Sequence, residues 1–553
     1  MFDSKAFKQQ FPLFSHPENA GLVYLDNAAT TQRPAVVIDA ITDFYSRYNA
    51  NTHRSSHRLA RQATEMVERV RSQLQDFVNA SRPEEVVFTR GATESLNIVA
   101  NGLAQQLEAG DEIILSAAEH HANLVPWQIL AQRCGAQLIF LPDLAGKPQL
   151  DKLSELLTKK TRVVAITAAS NALGFKLPID TVRAQLPADC QLVVDASQLL
   201  AHEMVDVQQL GCDYLVGSAH KFYGPTGVGF LYGRYQRLLQ LPPWQGGGEM
   251  ITRVQRDVSE YALPPHRFES GTSSLAALAG LSACLAFLAS LDRPAMAAYE
   301  ALLNRYLHTE LEALTREMPI RLLSEYQSNV GVAAIVASDE QRITMTDLGV
   351  WLDEKDIAVR VGHHCAQPLM DDLGFGGSLR VSLAAYNDRE DVDRLIEALK
   401  SFPDSLDGDR AVMAGADDLW SLDNLSVANL DDLRQQASWQ KRYRQLTRWS
   451  QLLAAKPAIR IEANRVDGCE SEVWMCHRQR DDKHQFLIDT DSRVIKGLAV
   501  LLLLFVNNKT AEDIAAIDFD EAFAQLGLEK YLSPSRANGF RALVDRVIEF
   551  VTA

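Results

Sequence analysis

A lysine that follows a strand-like run and precedes a glycine-rich turn is well placed for covalent chemistry with an aldehyde. Ser218-Ala219-His220-Lys221 comes after Tyr214-Leu215-Val216 and before Gly224-Pro225-Thr226-Gly227. Burial at a strand end strips water from the ammonium and lowers its pKa, which leaves a neutral amine able to form a Schiff base. Asp195 ends a second strand-like run, Leu192-Val193-Val194-Asp195, with Gln198 just after it. At the carboxyl edge of an open α/β sheet, such a carboxylate can hold a pyridinium nitrogen protonated. Thr89-Arg90-Gly91-Ala92-Thr93-Glu94-Ser95 reads as a strand, a glycine turn and a helix start, which presents N–H groups to a phosphate. Singly these are a turn lysine, a capping aspartate and an ordinary glycine turn. Together they describe a pyridoxal 5'-phosphate site.

Two thiols stand apart from the other five. Cys365 closes Arg360-Val361-Gly362-His363-His364-Cys365, and Cys469 lies in Asp467-Gly468-Cys469-Glu470-Ser471-Glu472-Val473-Trp474. A thiol attacks as its thiolate, and His363, His364 and Arg360 are neighbours that would lower the pKa of Cys365. Adjacent residues rarely aim at one ion, and no second cluster has zinc spacing, so no metal site is expected. Cys134, Cys190, Cys212 and Cys284 belong to no activating motif and read as buried structural cysteines. Cys476, in the strand-like Trp474-Met475-Cys476, is read the same way. Two thiols on two modules suggest a donor and an acceptor of sulfur.

The elements that must position these groups are legible as periodicity. Val86-Val87-Phe88-Thr89, Glu112 to Ser116, Arg162 to Thr167 and Leu192 to Asp195 are short β-branched runs separated by helical stretches. That alternation predicts an α/β domain with a mostly parallel sheet, and Val228 to Tyr232 is expected as an antiparallel edge. A helix-rich segment runs from Ala276 past Tyr306, a strand covers Val330 to Val336, and Asp347 to Lys400 completes a smaller α+β unit. Acids and small residues from Phe402 to Asp423 read as a linker. Beyond it, Trp439, Tyr443, Leu446, Trp449 and Leu453 recur at helical spacing and open another domain.

Size and charge bound the function. The 553 residues exceed one core, while 47% hydrophobic and 23% charged residues are ordinary for a soluble globular protein. A net charge of −16 and a pI near 5.3 argue against general nucleic-acid binding, which needs clustered Lys and Arg. Met1-Phe2-Asp3-Ser4-Lys5 lacks a signal-like charged and apolar start, and the apolar run Leu498 to Val506 suits a buried helix rather than a membrane span. Seven irregularly spaced cysteines do not form a disulfide framework, so a reducing cytoplasmic setting is expected.

Residues 1–402 resemble a group II cysteine desulfurase, a fold-type I relative of the class V aminotransferases. The motifs that carry the resemblance begin with Tyr24-Leu25-Asp26-Asn27-Ala28-Ala29, Arg90 to Glu94 and Glu119-His120-His121-Ala122-Asn123. They continue with Asp195 to Gln198, Ser218 to Lys221, Arg267-Phe268-Glu269-Ser270-Gly271-Thr272 and Arg360 to Cys365. The resemblance implies that Lys221 binds the cofactor, Asp195 faces its ring nitrogen, His120 stacks on the ring and Gln198 lies beside its phenolic oxygen. It further implies that Thr93, Ser218 and His220 hold the phosphate, with Thr272 reaching it from the second subunit of a homodimer. Arg380 would clamp the carboxylate of L-cysteine, Asn171 and Arg360 would line the pocket, and Cys365 would receive the sulfur. Ser197 stands where Ala is common in the family, and Ala92 where Thr is common; neither change removes a required charge.

Residues 425–553, after a linker at 403–424, resemble the SufE-like sulfur acceptors, most closely the CsdE type. The matching residues are Asp467 to Trp474, Asp491-Ser492-Arg493-Val494-Ile495-Lys496-Gly497-Leu498 and Leu532-Ser533-Pro534-Ser535-Arg536. This makes Cys469 the implied acceptor and Arg536 a candidate to stabilise its thiolate, with Val473 and Trp474 anchoring the turn to the core. About 20 flexible residues span roughly 25 Å r.m.s., so Cys469 can meet Cys365 of its own chain or of the partner. Fusion raises the acceptor's effective concentration to about millimolar. The sulfur would pass to a downstream acceptor protein, for iron–sulfur cluster assembly or tRNA modification, and selenocysteine is a second candidate substrate. The alternatives are an aminotransferase or selenocysteine lyase whose C-terminal module is a docking platform, and a non-catalytic relay with a vestigial first domain.

Overall fold

The computed structural model describes residues 2–52, 57–338, 343–402, 420, 423–436, 442, 445–446, 448–466, 472–490, 492–526 and 534–552. The chain forms two compact units: Met1–Val336 with Leu352–Glu397, and Ala337–Trp351 with Ala398–Ala553.

In the first unit the β-branched runs become strands of one seven-stranded sheet. They are β1 (Val86–Thr89), β2 (Glu112–Ser116), β3 (Gln137–Leu141), β4 (Thr161–Thr167), β5 (Gln191–Asp195), β6 (Tyr214–Ser218) and β7 (Gly229–Gly233), in the order β1-β7-β6-β5-β4-β2-β3. Strands β2 to β6 run parallel, and β7 is antiparallel to both its neighbours. The strand expected at the edge is therefore antiparallel but interior. Gly229 makes this insertion possible: a Cβ there would stand 2.5 Å from Gly217 O and 2.6 Å from Gly91 Cα, so only glycine lets β7 pass between them. The edges are β1 and β3. Strand β3 holds the apolar run Leu138-Ile139-Phe140-Leu141, which the sequence reading does not single out, and only Leu141 is fully buried, as suits an edge strand.

The helix-rich segment is two helices, Leu275–Ala289 and Arg293–Leu314, meeting at 84°. Asp292 caps the second by accepting the Ala295 N–H, and the proline in its first turn prevents continuation from the first. Leu275–Ala289 packs against Ala35–Asp43 and Arg58–Val78. Among the described residues no single helix is long and apolar enough to cross a membrane.

A smaller sheet holds β8 (Ile320–Leu322), β9 (Val332–Ala337), β10 (Arg360–Gly362) and β11 (Ser378–Ser382), in the order β8-β9-β11-β10, with β11 antiparallel to both β9 and β10. The N-terminal segment joins this region: Val23–Tyr24 pairs with Ile357–Ala358, and Asp26 bridges to Ser382.

In the second unit, β12 (Val473–Arg480) and β13 (Lys483–Thr490) form a hairpin backed by helices Arg493–Val506 and Pro534–Thr552. The apolar run Leu498–Val506 lies in the buried helix expected for it. Leu446, Trp449 and Leu453 are buried in the same core. Trp439 and Tyr443 lie outside the described residues, as does the expected linker 403–424 except for 420, 423 and 424. Gly497 lets Arg493–Val506 approach its neighbour, since a Cβ would fall 2.1 Å from Leu446 O.

One buried ion pair ties the 267–272 segment to the sheet. Arg71, 2% exposed, donates to Glu269 at 2.8 and 3.0 Å, and the Phe88 N–H donates to the same carboxylate at 2.7 Å. Burial alone would raise the Glu269 pKa. The Arg71 charge and the converging donors outweigh it and hold the carboxyl at about 2. Such a depressed pKa stabilises the fold above the ordinary Glu range and loses its contribution as pH falls toward the folded value. Glu269→Gln is expected to cost about 3 kcal/mol, the scale for breaking a buried pair, read as a lower thermal midpoint at neutral pH. The difference from wild type should shrink as the pH approaches 2.

Candidate active site

Lys221 ends a single turn, Ala219–Lys221, directly after β6, at the carboxyl edge of the sheet. It is largely buried, and its amine has no hydrogen-bond partner among the described residues. Burial drives its pKa down to about 8; Asp195 and Cys365 oppose that effect, while Arg380 and Arg360 add to it. These four residues are therefore close enough to act on one amine, which is partly neutral near physiological pH.

The other predicted cofactor residues follow neighbouring strand ends. Asp195, last in β5 and 6% exposed, accepts the Ser197 N–H at 2.9 Å. Gln198 donates to Ala28 O at 2.9 Å. His120 follows β2, and its Nδ1 accepts the Ala122 N–H at 3.0 Å, which places the neutral ring's proton on Nε2. Burial and then the Lys221 charge lower its pKa to about 4, so the ring is uncharged. His220 is likewise lowered to about 4, by burial first and then Lys221. Ser218 Oγ accepts the Ala92 N–H at 2.8 Å and keeps its own hydrogen to donate. Thr93, in the first turn of helix Ala92–Leu103, is exposed. Thr272 is also exposed, with Asn51 Nδ2 at 3.4 Å from its hydroxyl, and no contact among the described residues joins it to Lys221.

Cys365 is exposed on a loop held at several points. His364 Nε2 lies 2.9 Å from Ser378 Oγ and 3.1 Å from Ser378 O in β11, and the side-chain amide of Asn171 donates to His364 O. The His121 N–H donates to Cys365 O at 2.7 Å, and His121 Nε2 accepts the Gln367 N–H at 3.1 Å. Residues 364 and 365 both have left-handed backbone, φ 54° and 56°, which this anchoring sustains. His364 does not give the help in forming a thiolate that its place in the motif suggests. Burial and then Arg380 push its pKa down to about 3, so it brings no charge and serves as an anchor. Among the described residues no group of three or more His, Cys, Asp or Glu could hold a metal ion.

Arg380 is 2% exposed in β11, with Nη1 on Asn171 O at 2.8 Å and Nη2 on Asp26 at 3.1 Å. Arg360 in β10 takes the same Asp26 side-on, at 2.8 to 3.2 Å. Sequence reasoning assigns no role to Asp26, although it stands within a quoted motif, because nothing in sequence pairs it with two distant arginines. It also passes over Glu119, fully buried, which accepts from Ser116 Oγ and Asn123 Nδ2 at 2.6 Å. Burial raises Glu119 to about 8 against those donors.

Cys469 lies outside the described residues, and Arg536 falls in helix Pro534–Thr552 with its side chain undescribed. The chain on either side of Cys469 is drawn together: the Val466 N–H donates to Val473 O at 2.9 Å, and Arg465 bridges to Trp474. Val473 is fully buried, as its anchoring role requires.

A largely buried lysine and an aspartate at adjacent strand ends, with a helix N-terminus nearby, define a pyridoxal-phosphate fold. The unpartnered amine of Lys221 and the buried, unpartnered Ser197 Oγ and Arg380 Nε are polar atoms that such a cofactor and its substrate would meet. The residues fit the group. Residues 23–395 match the family model for class-V aminotransferases, and residues 428–551 match the SufE family, described as an Fe-S metabolism associated domain. A probable cysteine desulfurase of Vibrio cholerae is 41% identical over 410 residues, spanning 73% of this chain and all of that protein. A cysteine desulfurase of Cronobacter sakazakii is 41% identical, over 72% and 98% of the two chains. The crystal structure of the Escherichia coli cysteine desulfurase CsdA superposes with a TM-score of 0.67 at 36% identity, covering 74% of this chain and 99% of that one. The apo cysteine desulfurase of Thermococcus onnurineus gives 0.69 at 32%, covering 73% and 99%. The chain belongs to the class-V aminotransferase family, as one of its cysteine desulfurases.

The thiols differ sharply in reactivity. Burial pushes Cys190, Cys212 and Cys284 up to about 12, whereas Cys365 is exposed. A thiol near 12 carries roughly a thousandfold less thiolate than an ordinary one. Iodoacetamide at neutral pH, followed by peptide mass spectrometry, should label Cys365 and leave these three unmodified in the folded protein. Equal labelling would contradict the placement.

Proposed function

We propose that this protein is a self-contained sulfur-mobilising enzyme, a pyridoxal-phosphate-dependent cysteine desulfurase joined to its own sulfur acceptor. Residues 1–402 form the desulfurase, 403–424 the linker and 425–553 the acceptor. The reading is carried by one observation: an exposed thiol on a firmly anchored loop lies within electrostatic reach of a buried, partly neutral lysine. Lys221, Asp195, Gln198, His120, Thr93, Ser218 and His220 would hold the cofactor, together with Thr272 of the partner subunit in a cytoplasmic homodimer. When bound, pyridoxal 5'-phosphate supplies an electron sink that acidifies the Cα–H of an attached amino acid.

The chain's own residues do the rest. Arg380 takes the carboxylate of L-cysteine, with Asn171 and Arg360 lining the pocket, and Lys221 removes the Cα proton. The Cys365 thiolate forms an S–S bond to the substrate sulfur as the C–S bond breaks. The electron pair stays on carbon, which is protonated and leaves as L-alanine, and no external oxidant is needed. Cys469 then attacks the outer sulfur of the persulfide, restoring the Cys365 thiol and carrying the sulfur onward. The match of residues 428–551 to an Fe-S metabolism associated domain favours iron–sulfur cluster assembly as the destination.

The cofactor-loaded protein should convert L-cysteine to L-alanine without keto acid. Cys365→Ser should lower alanine formation about a thousandfold or more, the scale for losing a nucleophile, and Lys221→Ala should abolish it. Keto-acid product, or alanine formation that survives loss of Cys365, would overturn the reading.

A further inference from the structure

Arg360 and Arg380 are direct cross-strand partners in the β10–β11 pair, an arrangement that sets two like charges opposite each other. Asp26 resolves the conflict. Its carboxylate takes Nε and Nη2 of Arg360 at 2.8 to 3.2 Å and Nη2 of Arg380 at 3.1 Å. Among the described residues it is the only carboxylate in an ion pair with either arginine. Its backbone is fixed on both sides. The Leu25 N–H donates to Ala358 O at 2.9 Å, the Ser382 N–H donates to Leu25 O at 2.7 Å, and Asp26 itself bridges to Ser382. The guanidinium groups therefore come to a preset anion. Arg380 is buried and its Nε has no partner, so it keeps a donor in reserve.

We infer that Asp26 is a positioning residue that holds the two arginines side by side and leaves the pair with a single net positive charge, the complement of one substrate carboxylate. The inference rests on the proposed role of Arg380 and Arg360. Removing the Asp26 charge has two opposed effects: attraction for an anion rises, and the two cations lose the group that keeps them together. The second prevails because Arg360, half exposed, is free to swing into water, where added attraction is screened. Burial lowers the Arg380 pKa and Asp26 opposes that effect, in keeping with this role.

The test is a spectral titration of the cofactor-loaded protein with L-alanine and with ethylamine, which lacks only the carboxylate. In Asp26→Asn the Kd for alanine should rise about 10- to 100-fold, the scale of charged hydrogen bonds, while that for ethylamine stays within about twofold. The pH midpoint of the cofactor's visible absorption should also move down, because less compensated positive charge faces Lys221. Asp26→Glu, which keeps the charge but displaces it, should weaken alanine and leave the midpoint in place, and it serves if the Asn variant does not fold. Equal losses for both ligands with an unmoved midpoint in Asp26→Asn, or unchanged alanine binding in Asp26→Glu, would overturn the inference. Binding is read without sulfur chemistry, so the outcome stands whether or not wild type makes alanine from cysteine.

Discussion

The amine of Lys221 must be kept out of water and still be reachable, and much of the site is arranged around that requirement. An ammonium buried without a partner favours its neutral form, and here the balance settles near 8 because Asp195 and Cys365 offset part of the burial and the two arginines. The parallel sheet supplies the position. Strands β2, β4, β5 and β6 all end on one edge, so the residues that follow them converge from chain positions far apart. His120, Asn171, Asp195 and Lys221 each lie at or just past such an end. The neutral state of His120 and His220 follows from the same desolvation, and it leaves the arginines as the strong positive charges of the site.

The nucleophile poses the opposite problem, since Cys365 has to be exposed and yet held still. Contacts from three regions meet on its loop: the His120–His121 turn, Asn171 after β4, and Ser378 in β11. Two successive residues in left-handed backbone would relax if those contacts were absent. The thiol is thus presented outward from a braced support, in contrast to the buried cysteines, whose raised pKa values keep them inert.

Much of this arrangement is legible in the amino-acid sequence. The buried strands show themselves as apolar β-branched runs, and β1 and β2 fall on the expected bounds. The residues around Lys221 are legible because strand ends, glycine turns and helix starts carry local signatures. Other features are not. Strand β3 is a short apolar run, Leu138 to Leu141, directly after a helix and a glycine turn, and is not separated from them by periodicity, while the interior place of β7 depends on a glycine-to-glycine approach across the sheet. The anchoring of His364 depends on Ser378, and the bond between Asp26 and two arginines joins residues more than 300 positions apart. Long-range pairings of this kind leave no periodic trace in a single sequence.

Sulfur taken from cysteine should move from Cys365 to Cys469, and trapping it in place follows that movement step by step. The cofactor-loaded protein is incubated anaerobically with L-cysteine, its thiols are alkylated, and the added sulfur is located by peptide mass spectrometry in wild type and in Cys365→Ser. The account predicts a persulfide on Cys469 in wild type that disappears in the variant. Sulfur confined to Cys365, or present on Cys469 in both proteins alike, would contradict it.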